Sequence, residues 1–457
     1  MTYETTNITR RAFVGAAGAA ALALAGCSGE SNIGTSGNTT TDEATTAEGT
    51  VTGTFDRFVQ GFDYGAGVSH ITLMLTTPID GAKPEDFTVV EHKQATDWSA
   101  EDYPVVEVDA PRKVTNVIAE GDIVDIDLAC DPDNGSPFLY SMATGFNTWS
   151  DPYELRISLA DGAKITSSDE PVTEFSIDPV PMETRTSADA WDLDSYECSD
   201  GTVYPYAAYS PAAESKNLVV WLHGAGEGGT EDTDPRVILL ANKVVALSKE
   251  EFQTIVGSAH IVAPQCPTFW MDIGGSTYLS AETAEEATSI YSESLEEFID
   301  AYAKEVGATK IVLAGCSNGG FMTLWLAIRR PDKYAGAVPI CEAMPDSLVT
   351  DEQLAGLVNL PMYFLYAQND ETVIPELCEI PTINRLTYVG KSAETLHVAT
   401  KPNVVDTTGT YTDTDEDGNQ IPHEYNGHWS WIYFHNNDCW CDADELRPWD
   451  FIKGCFK

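Results

Sequence analysis

The chain has 457 residues and a formal net charge of −47, from 72 acidic against 25 basic side chains. That length is enough for two or three domains and a large apolar core. Acidity on this scale excludes nucleic acid as a partner and direct adsorption to anionic lipid, and as a solubilising surface it identifies no substrate.

Residues 1–27 read as an export signal, outside the fold. Thr9-Arg10-Arg11-Ala12-Phe13-Val14 resembles a twin-arginine signal, with Gly15 where a lysine often sits, and an Ala/Gly stretch follows. Leu24-Ala25-Gly26-Cys27 resembles a lipobox, which makes Cys27 the lipidated first residue of the mature chain. The stretch from Ala12 to Gly26 is shorter than the ~20 apolar residues a membrane span requires. Residues 28–50 are Ser, Thr, Gly and acidic residues with almost nothing to bury, and form a flexible tether reaching roughly 25 Å. The expected location is the extracytoplasmic side of a membrane, touched only through the lipid. Of the ten cysteines, nine remain in the mature body besides Cys27. Export permits disulfides, but an odd number of cysteines does not dictate a pairing.

From 51 to 182 short β-patterned runs follow one another. They are His70–Leu75, Phe87–Val90, Lys113–Ile118, Asp122–Leu128, Tyr153–Leu159 and Glu174–Ile177, separated by Pro, Gly, Asp and Asn. Asp122–Leu128 alternates apolar and polar residues as a half-buried strand does. About seven such strands in roughly 130 residues predict an all-β, immunoglobulin-like sandwich. Pro179-Val180-Pro181 begins the linker.

From 186 to 457 strands alternate with helices. Leu218–Leu222, His260–Ala263, Ile311–Ala314, Ala337–Ile340 and Met362–Tyr366 are buried-strand candidates. Between the second and third, Thr283-x-x-Glu286 offers a capping box. Ile290, Leu295, Phe298, Ile299, Tyr302 and Val306 then form an apolar stripe, and Gly307 ends the helix. This alternation predicts an α/β domain with a mostly parallel sheet covered on both faces, its ligand site at the carboxyl ends of the strands.

Gly315-Cys316-Ser317-Asn318-Gly319 sits at such an end, between a β-branched run and the helical pattern that starts at Phe321. A G-x-S-x-G at a strand-to-helix turn is a nucleophile elbow, whose tight turn needs small residues on both sides of the serine. A serine hydroxyl becomes nucleophilic only when a base takes its proton and a carboxylate orients that base. For this elbow the chain order is serine, acid, histidine. Asp370 follows the strand Met362–Tyr366 and is the acid candidate, ahead of Asp346 and Glu371. Of the four later histidines, His428 lies in a loop with Gly427 before it and an aromatic run after it, and is the candidate base. His397 reads as structural, His435 as surface, and His423 as part of a turn.

An oxyanion hole needs preorganised backbone N–H groups. Asn318, directly after the nucleophile, supplies one. The other comes from His223-Gly224-Ala225-Gly226-Glu227-Gly228-Gly229, with Ala225 preferred and Gly224 and Gly226 as alternatives. No Lys-Ser/Thr follows these glycines, so the loop is not a phosphate-binding P-loop. His223 reads as a loop brace. Cys439-Trp440-Cys441 lacks the second pair that a zinc site would need, so no metal is assigned there. Asp413 to Glu424 has calcium-loop spacing, but Pro422 interrupts it and no helix flanks it. A hairpin turning at Asp417-Gly418 or Gly418-Asn419 is the simpler reading.

Jointly, Val220-Trp221-Leu222-His223-Gly224-Ala225-Gly226-Glu227, Ala263-Pro264-Gln265-Cys266-Pro267, Gly315 to Gly320, Pro331 to Ala335, Val338 to Cys341 and His428 to Trp431 carry a resemblance. The region from about 196 to 434 resembles α/β-hydrolase esterases of the polyhydroxyalkanoate-depolymerase and feruloyl-esterase-like group, which overlaps with prolyl-oligopeptidase-like hydrolases. An immunoglobulin-like domain ahead of such a domain is similar to known secreted esterases. The resemblance implies an α/β-hydrolase fold and a Ser317-Asp370-His428 triad that hydrolyses small-molecule or polymer-linked carboxylic esters without a cofactor. Cys316 beside the nucleophile and the acidic insertion before His428 depart from the pattern. A prolyl-oligopeptidase-like peptidase is the second enzymatic reading, although the first domain is too short for a propeller. A non-catalytic surface-binding lipoprotein is the third.

Overall fold

The computed structural model describes residues 49–229 and 233–457. The expected export signal, Cys27 and the expected tether as far as residue 48 lie outside them. Strands Glu174–Ile177, Thr50–Phe62, Gly65–Leu75, Ile123–Leu128 and Val114–Glu120 form one sheet in that order, and Val105–Arg112, Phe87–Thr96 and Tyr153–Leu159 a second. In Ile123–Leu128 the alternation sends Val124, Ile126 and Leu128 inward. They join Phe55, Ile71 and Leu73 of the first sheet and Val89, Leu155 and Ile157 of the second in one apolar core. The longest strand, Thr50–Phe62, is one the sequence pattern did not single out, because seven of its positions are Thr, Gly, Gln or charged residues facing partly outward. Thr184–Thr186 also pairs with Arg57–Val59, so the first sheet reaches beyond the Pro179–Pro181 segment.

Eight strands build a third, larger sheet: β1 (Asp192–Glu197), β2 (Val203–Tyr209), β3 (Asn217–Leu222), β4 (His260–Pro264), β5 (Lys310–Cys316), β6 (Gly336–Ile340), β7 (Met362–Ala367) and β8 (Leu396–Lys401). Their order is β1-β2-β4-β3-β5-β6-β7-β8. Strand β2 runs antiparallel to both of its neighbours and the other pairings are parallel. This is the α/β-hydrolase fold. All five runs picked out as buried strands are strands, and β3, β5, β6 and β7 are apolar on both faces because helices cover both. Helices α1 (Ser292–Val306) and α2 (Asn318–Arg329) pack Leu295, Phe298, Phe321 and Leu324 on the face bearing Leu218, Val220 and Leu313. Val219, Trp221 and Val338 on the other face belong to a core continuous with that of the first two sheets.

Two expectations need correcting. Helix α1 begins at Ser292, not at the Thr283 capping box. The Thr283 hydroxyl accepts a hydrogen bond from Ser280 N and donates one to Tyr278 O, both at 2.8 Å, and so closes a local turn instead. Ile290 consequently stands half exposed, off the apolar stripe. Gly307 does end the helix, with φ +71°.

The two regions are tied by buried and half-buried polar contacts. Trp149 donates to Asp234 at 2.9 Å, Lys243 pairs with Asp63 at 2.7 Å, and the hydroxyls of Tyr64 and Tyr411 meet at 3.1 Å. Within the acidic insertion, Thr412–Thr414 pairs with Gln420–Pro422. Asp415 Oδ1 accepts from Asp417 N and Asn419 N at 3.0 and 2.7 Å, and Gly418 adopts φ +85°. The stretch with calcium-loop spacing is thus a hairpin turn.

Candidate active site

Strand β5 delivers Ser317 at its carboxyl end with φ 55° and ψ −117°, a strained backbone for a residue with a side chain. The glycines around it are steric requirements. A Cβ on Gly319 would stand 1.9 Å from Leu222 O, and one on Gly315 would stand 2.6 Å from the same oxygen. The elbow therefore packs backbone to backbone against the end of β3. Ser317 N donates to Ile340 O at 2.9 Å, which fastens the turn to β6 as well.

Asp370 follows β7 and is buried. One carboxylate oxygen accepts from Thr372 N and Val373 N at 2.8 and 2.9 Å, and the other faces His428 Nδ1 at 2.7 Å. An ionised carboxylate only accepts, so Nδ1 carries the proton and Nε2 is free to accept from Ser317 Oγ, 2.9 Å away. The loop bearing His428 closes on the acid loop because residue 427 is glycine: a Cβ there would meet Asn369 Oδ1 at 2.4 Å. Trp431 stands edge-on to the imidazole at 5.6 Å and holds its plane. The structure thus brings together the three residues singled out from sequence.

It does not bring the alternatives there. Asp346 pairs with Arg385 at 2.9 Å, and Glu371 is exposed. His423 pairs with Asp413 at 3.0 Å in the hairpin. His435, expected on the surface, is buried, its ring 4.6 Å from that of Trp221. Burial, reinforced by Lys243, pushes its pKa down to about 3. The expectation failed because the short helix Trp431–His435 turns this residue onto the sheet.

Ala225 begins a 3-10 turn after β3, and Asn318 is the first residue of α2. The N–H of a first helical residue has no partner within its helix and lies at the positive end of the helix dipole. His223 is fixed as a brace: Nδ1 donates to Gly224 O at 2.6 Å, and Nε2 accepts from Cys266 N at 2.9 Å. Desolvation lowers its pKa to about 4, so it stays neutral. Cys316 is wholly buried beneath the loop, where burial holds its thiol protonated.

One residue of this loop was not assigned from sequence. Glu227 is 5% exposed, and its carboxylate lies 3.0 Å from where a side chain on Gly224 would begin. It accepts from Asn147 Nδ2 at 3.3 Å, and desolvation raises its pKa to about 7. One of its partners, Asn147, lies in the other region, and no local pattern could signal that contact. A cleft of about 720 Å³ runs over the site, lined by Ser317, His428, Ala225 and Glu227 on one side and by Trp98 and Tyr140 of the first region on the other.

Comparisons with known proteins agree with this architecture. The family model described as phospholipase/carboxylesterase, an α/β-hydrolase family, matches residues 206–400. The match contains Ser317 and Asp370 and ends before the acidic insertion and His428. A comparison with curated proteins gives no match. Among solved structures, a thermostable esterase is similar over 84% of this chain and 96% of its own, at 18% identity and a TM-score of 0.60. That share exceeds the second region alone, so the likeness of fold includes the β-sheets ahead of it. A ferulic acid esterase matches 46% of this chain and 89% of its own at 14% identity and a TM-score of 0.34. Est1E from Butyrivibrio proteoclasticus matches 46% and 87% at 14% identity and a TM-score of 0.33.

Proposed function

We propose that the protein is a serine hydrolase that cleaves carboxylic esters through an acyl-enzyme. The observation that carries this reading is the continuous relay Ser317 Oγ to His428 Nε2 and His428 Nδ1 to Asp370 Oδ2, at 2.9 and 2.7 Å, opening on a cleft. Ser317 Oγ attacks the ester carbonyl while His428 Nε2 takes its proton, and Asp370 stabilises the imidazolium. The N–H groups of Ala225 and Asn318 hold the developing oxyanion, where one donor is worth ~3–4 kcal/mol of transition-state stabilisation. When the tetrahedral adduct collapses, the carbon–alcohol oxygen bond breaks and His428 returns the proton to the departing alcohol. Water, deprotonated by the same nitrogen, then releases the acid and restores Ser317. Each step uses groups of the chain itself.

The reading extends to location. Arg10-Arg11 and the lipobox ending at Cys27 support export and lipid attachment on the extracytoplasmic side. Labelling cells with a clickable fatty acid tests this: the label is expected on the wild type and absent from Cys27→Ala, and an unlabelled wild type overturns it.

A fluorophosphonate probe tests the chemistry. Wild type is expected to label at Ser317, and Ser317→Ala to remain unlabelled. No labelling of folded wild type, or equal labelling of the variant, overturns the assignment.

A further inference from the structure

Among the described residues, ester hydrolysis leaves one convergence of metal-type ligands unused, on the opposite rim of the sheet. His397 is the second residue of β8, paired across to Tyr363 near the start of β7, whereas Ser317 and Asp370 follow the carboxyl ends of their strands. Its ring is more than nine-tenths buried. It stacks on Tyr363 at 6.3 Å and meets Phe451 at 5.5 Å, so its orientation is fixed by packing. Nδ1 lies 3.1 Å from Asp444 Oδ2, yet off the line of an N–H bond, and this buried nitrogen makes no hydrogen bond. A buried, oriented imidazole nitrogen whose polar neighbour is a carboxylate at ion-pair distance is placed to share a metal ion with that carboxylate.

Two further ligand atoms meet it there. Cys441 and Asp444 belong to a tight turn in which Cys441 N donates to Leu446 O at 2.8 Å and Glu445 N to Cys441 O at 3.0 Å. One ring nitrogen of His397, the Cys441 sulfur and a carboxylate oxygen of Asp444 all lie within 4.8 Å of one another. Ligand atoms around a tetrahedral zinc ion stand roughly 3.3–3.8 Å apart, given bonds of about 2.0–2.3 Å. Small side-chain rotations close that difference. The surrounding turn also covers β8, the edge strand of the sheet: Asp442 N donates to Val398 O at 2.8 Å, and Thr400 N to the Asp442 carboxylate at 3.2 Å.

We propose that His397, Cys441 and Asp444 bind a divalent metal ion of the zinc class, which clasps the C-terminal segment onto the edge strand β8. The donor set selects the ion. A thiolate and an imidazole favour zinc and its neighbours over calcium or magnesium, which take oxygen ligands. Binding displaces the Cys441 thiol proton to solvent. The thiolate and the carboxylate then balance the two positive charges, and the exposed side of Asp444 leaves a fourth position for water. From sequence, the Cys439-Trp440-Cys441 stretch lacked a second pair of ligands; β8 supplies the histidine from 44 residues away. The clasp is independent of the ester chemistry, and an unlabelled Ser317 would leave it untouched.

The test uses the full-length protein, stripped with a chelator and then given Zn²⁺ or Co²⁺. Wild type is expected to retain one equivalent after gel filtration, to melt at a higher temperature with zinc, and to show a sulfur-to-cobalt charge-transfer band in the near ultraviolet. Cys441→Ser and His397→Gln lose all three, while Cys378→Ser, at a buried thiol elsewhere, keeps them. Asp444→Asn sits at the exposed edge and leaves the buried packing alone, so it decides the matter should the other two misfold. Its zinc affinity is expected to fall roughly tenfold or more. A wild type that retains no metal, a cobalt band that survives in Cys441→Ser, or unchanged affinity in Asp444→Asn overturns the proposal. Fluorophosphonate labelling of Ser317 is expected to be equal with and without the metal.

Discussion

His428 Nδ1 and Asp370 Oδ2 lie 2.7 Å apart, and the second oxygen of Asp370 is already held by two backbone N–H groups at 2.8 and 2.9 Å. The carboxylate is therefore pinned, with one oxygen left for one purpose. In Asp370→Asn the amide oxygen keeps the backbone contacts, which turns its NH₂ toward the histidine. His428 must then accept at Nδ1 and carry its proton on Nε2, facing Ser317, where it cannot act as a base. The expected outcome is a kcat lower by roughly 10³–10⁴-fold with KM little changed and the fold intact. Steady-state kinetics on a short acyl ester, beside a thermal melt, measure both. A variant within tenfold of wild type would remove Asp370 from the relay.

Gly319 bears on the fold as much as on the site. A methyl there would press on Leu222 O at 1.9 Å, a backbone atom that cannot rotate away. Overpacking of this kind costs ~1–3 kcal/mol in cores able to yield, and more where backbone meets backbone. Gly319→Ala is expected to lose at least about 3 kcal/mol of stability and, in whatever folds, to lose fluorophosphonate labelling as the elbow shifts. Gly356→Ala, where a Cβ meets nothing within 4 Å, is the control and is expected to behave as wild type. Chemical denaturation of the two variants reads the difference.

What was legible from sequence follows the range of the forces involved. Ser317 stood out because the elbow that holds it imposes glycines two residues away on both sides, a local steric rule. Asp370 was found from its place after a strand, and the strands were visible because β5, β6 and β7 are buried on both faces and so are continuously apolar. Failures occurred where a competing or distant partner decides. The Thr283 hydroxyl had a competing local acceptor in Tyr278 O, five residues back. His435 looks polar and terminal, yet Trp221 of β3, more than 200 positions away, covers it. Neither the 13-residue strand Thr50–Phe62, with its half-polar faces, nor the meeting of His397 with Cys441 has a short-range signature.

Glu227 joins stability and rate through one proton. Desolvation raises its pKa from an ordinary 4.5 to about 7, so in the folded protein it is neutral in mild acid and charged in mild base. Below about pH 4.5 folded and unfolded chains both hold the proton, and burial exacts no charge penalty. From there to about pH 7 the unfolded chain releases it while the folded one does not, so wild-type stability falls as pH rises and levels off above that point. Glu227→Gln lacks this slope, and its stability relative to wild type is expected to rise by on the order of 3 kcal/mol between about pH 5 and about pH 8. The same ionisation places a negative charge beside Gly224, in the loop proposed to hold the oxyanion. A charge of that sign opposes the one that develops in the transition state, so wild-type kcat/KM should decline on the alkaline side of about 7 while the glutamine variant stays level. Denaturation at the two pH values and a pH–rate profile of both proteins check the two consequences separately. A parallel alkaline decline in Glu227→Gln would assign that limb to another group, and a pH-independent stability difference would mean that Glu227 does not change its charge in this range.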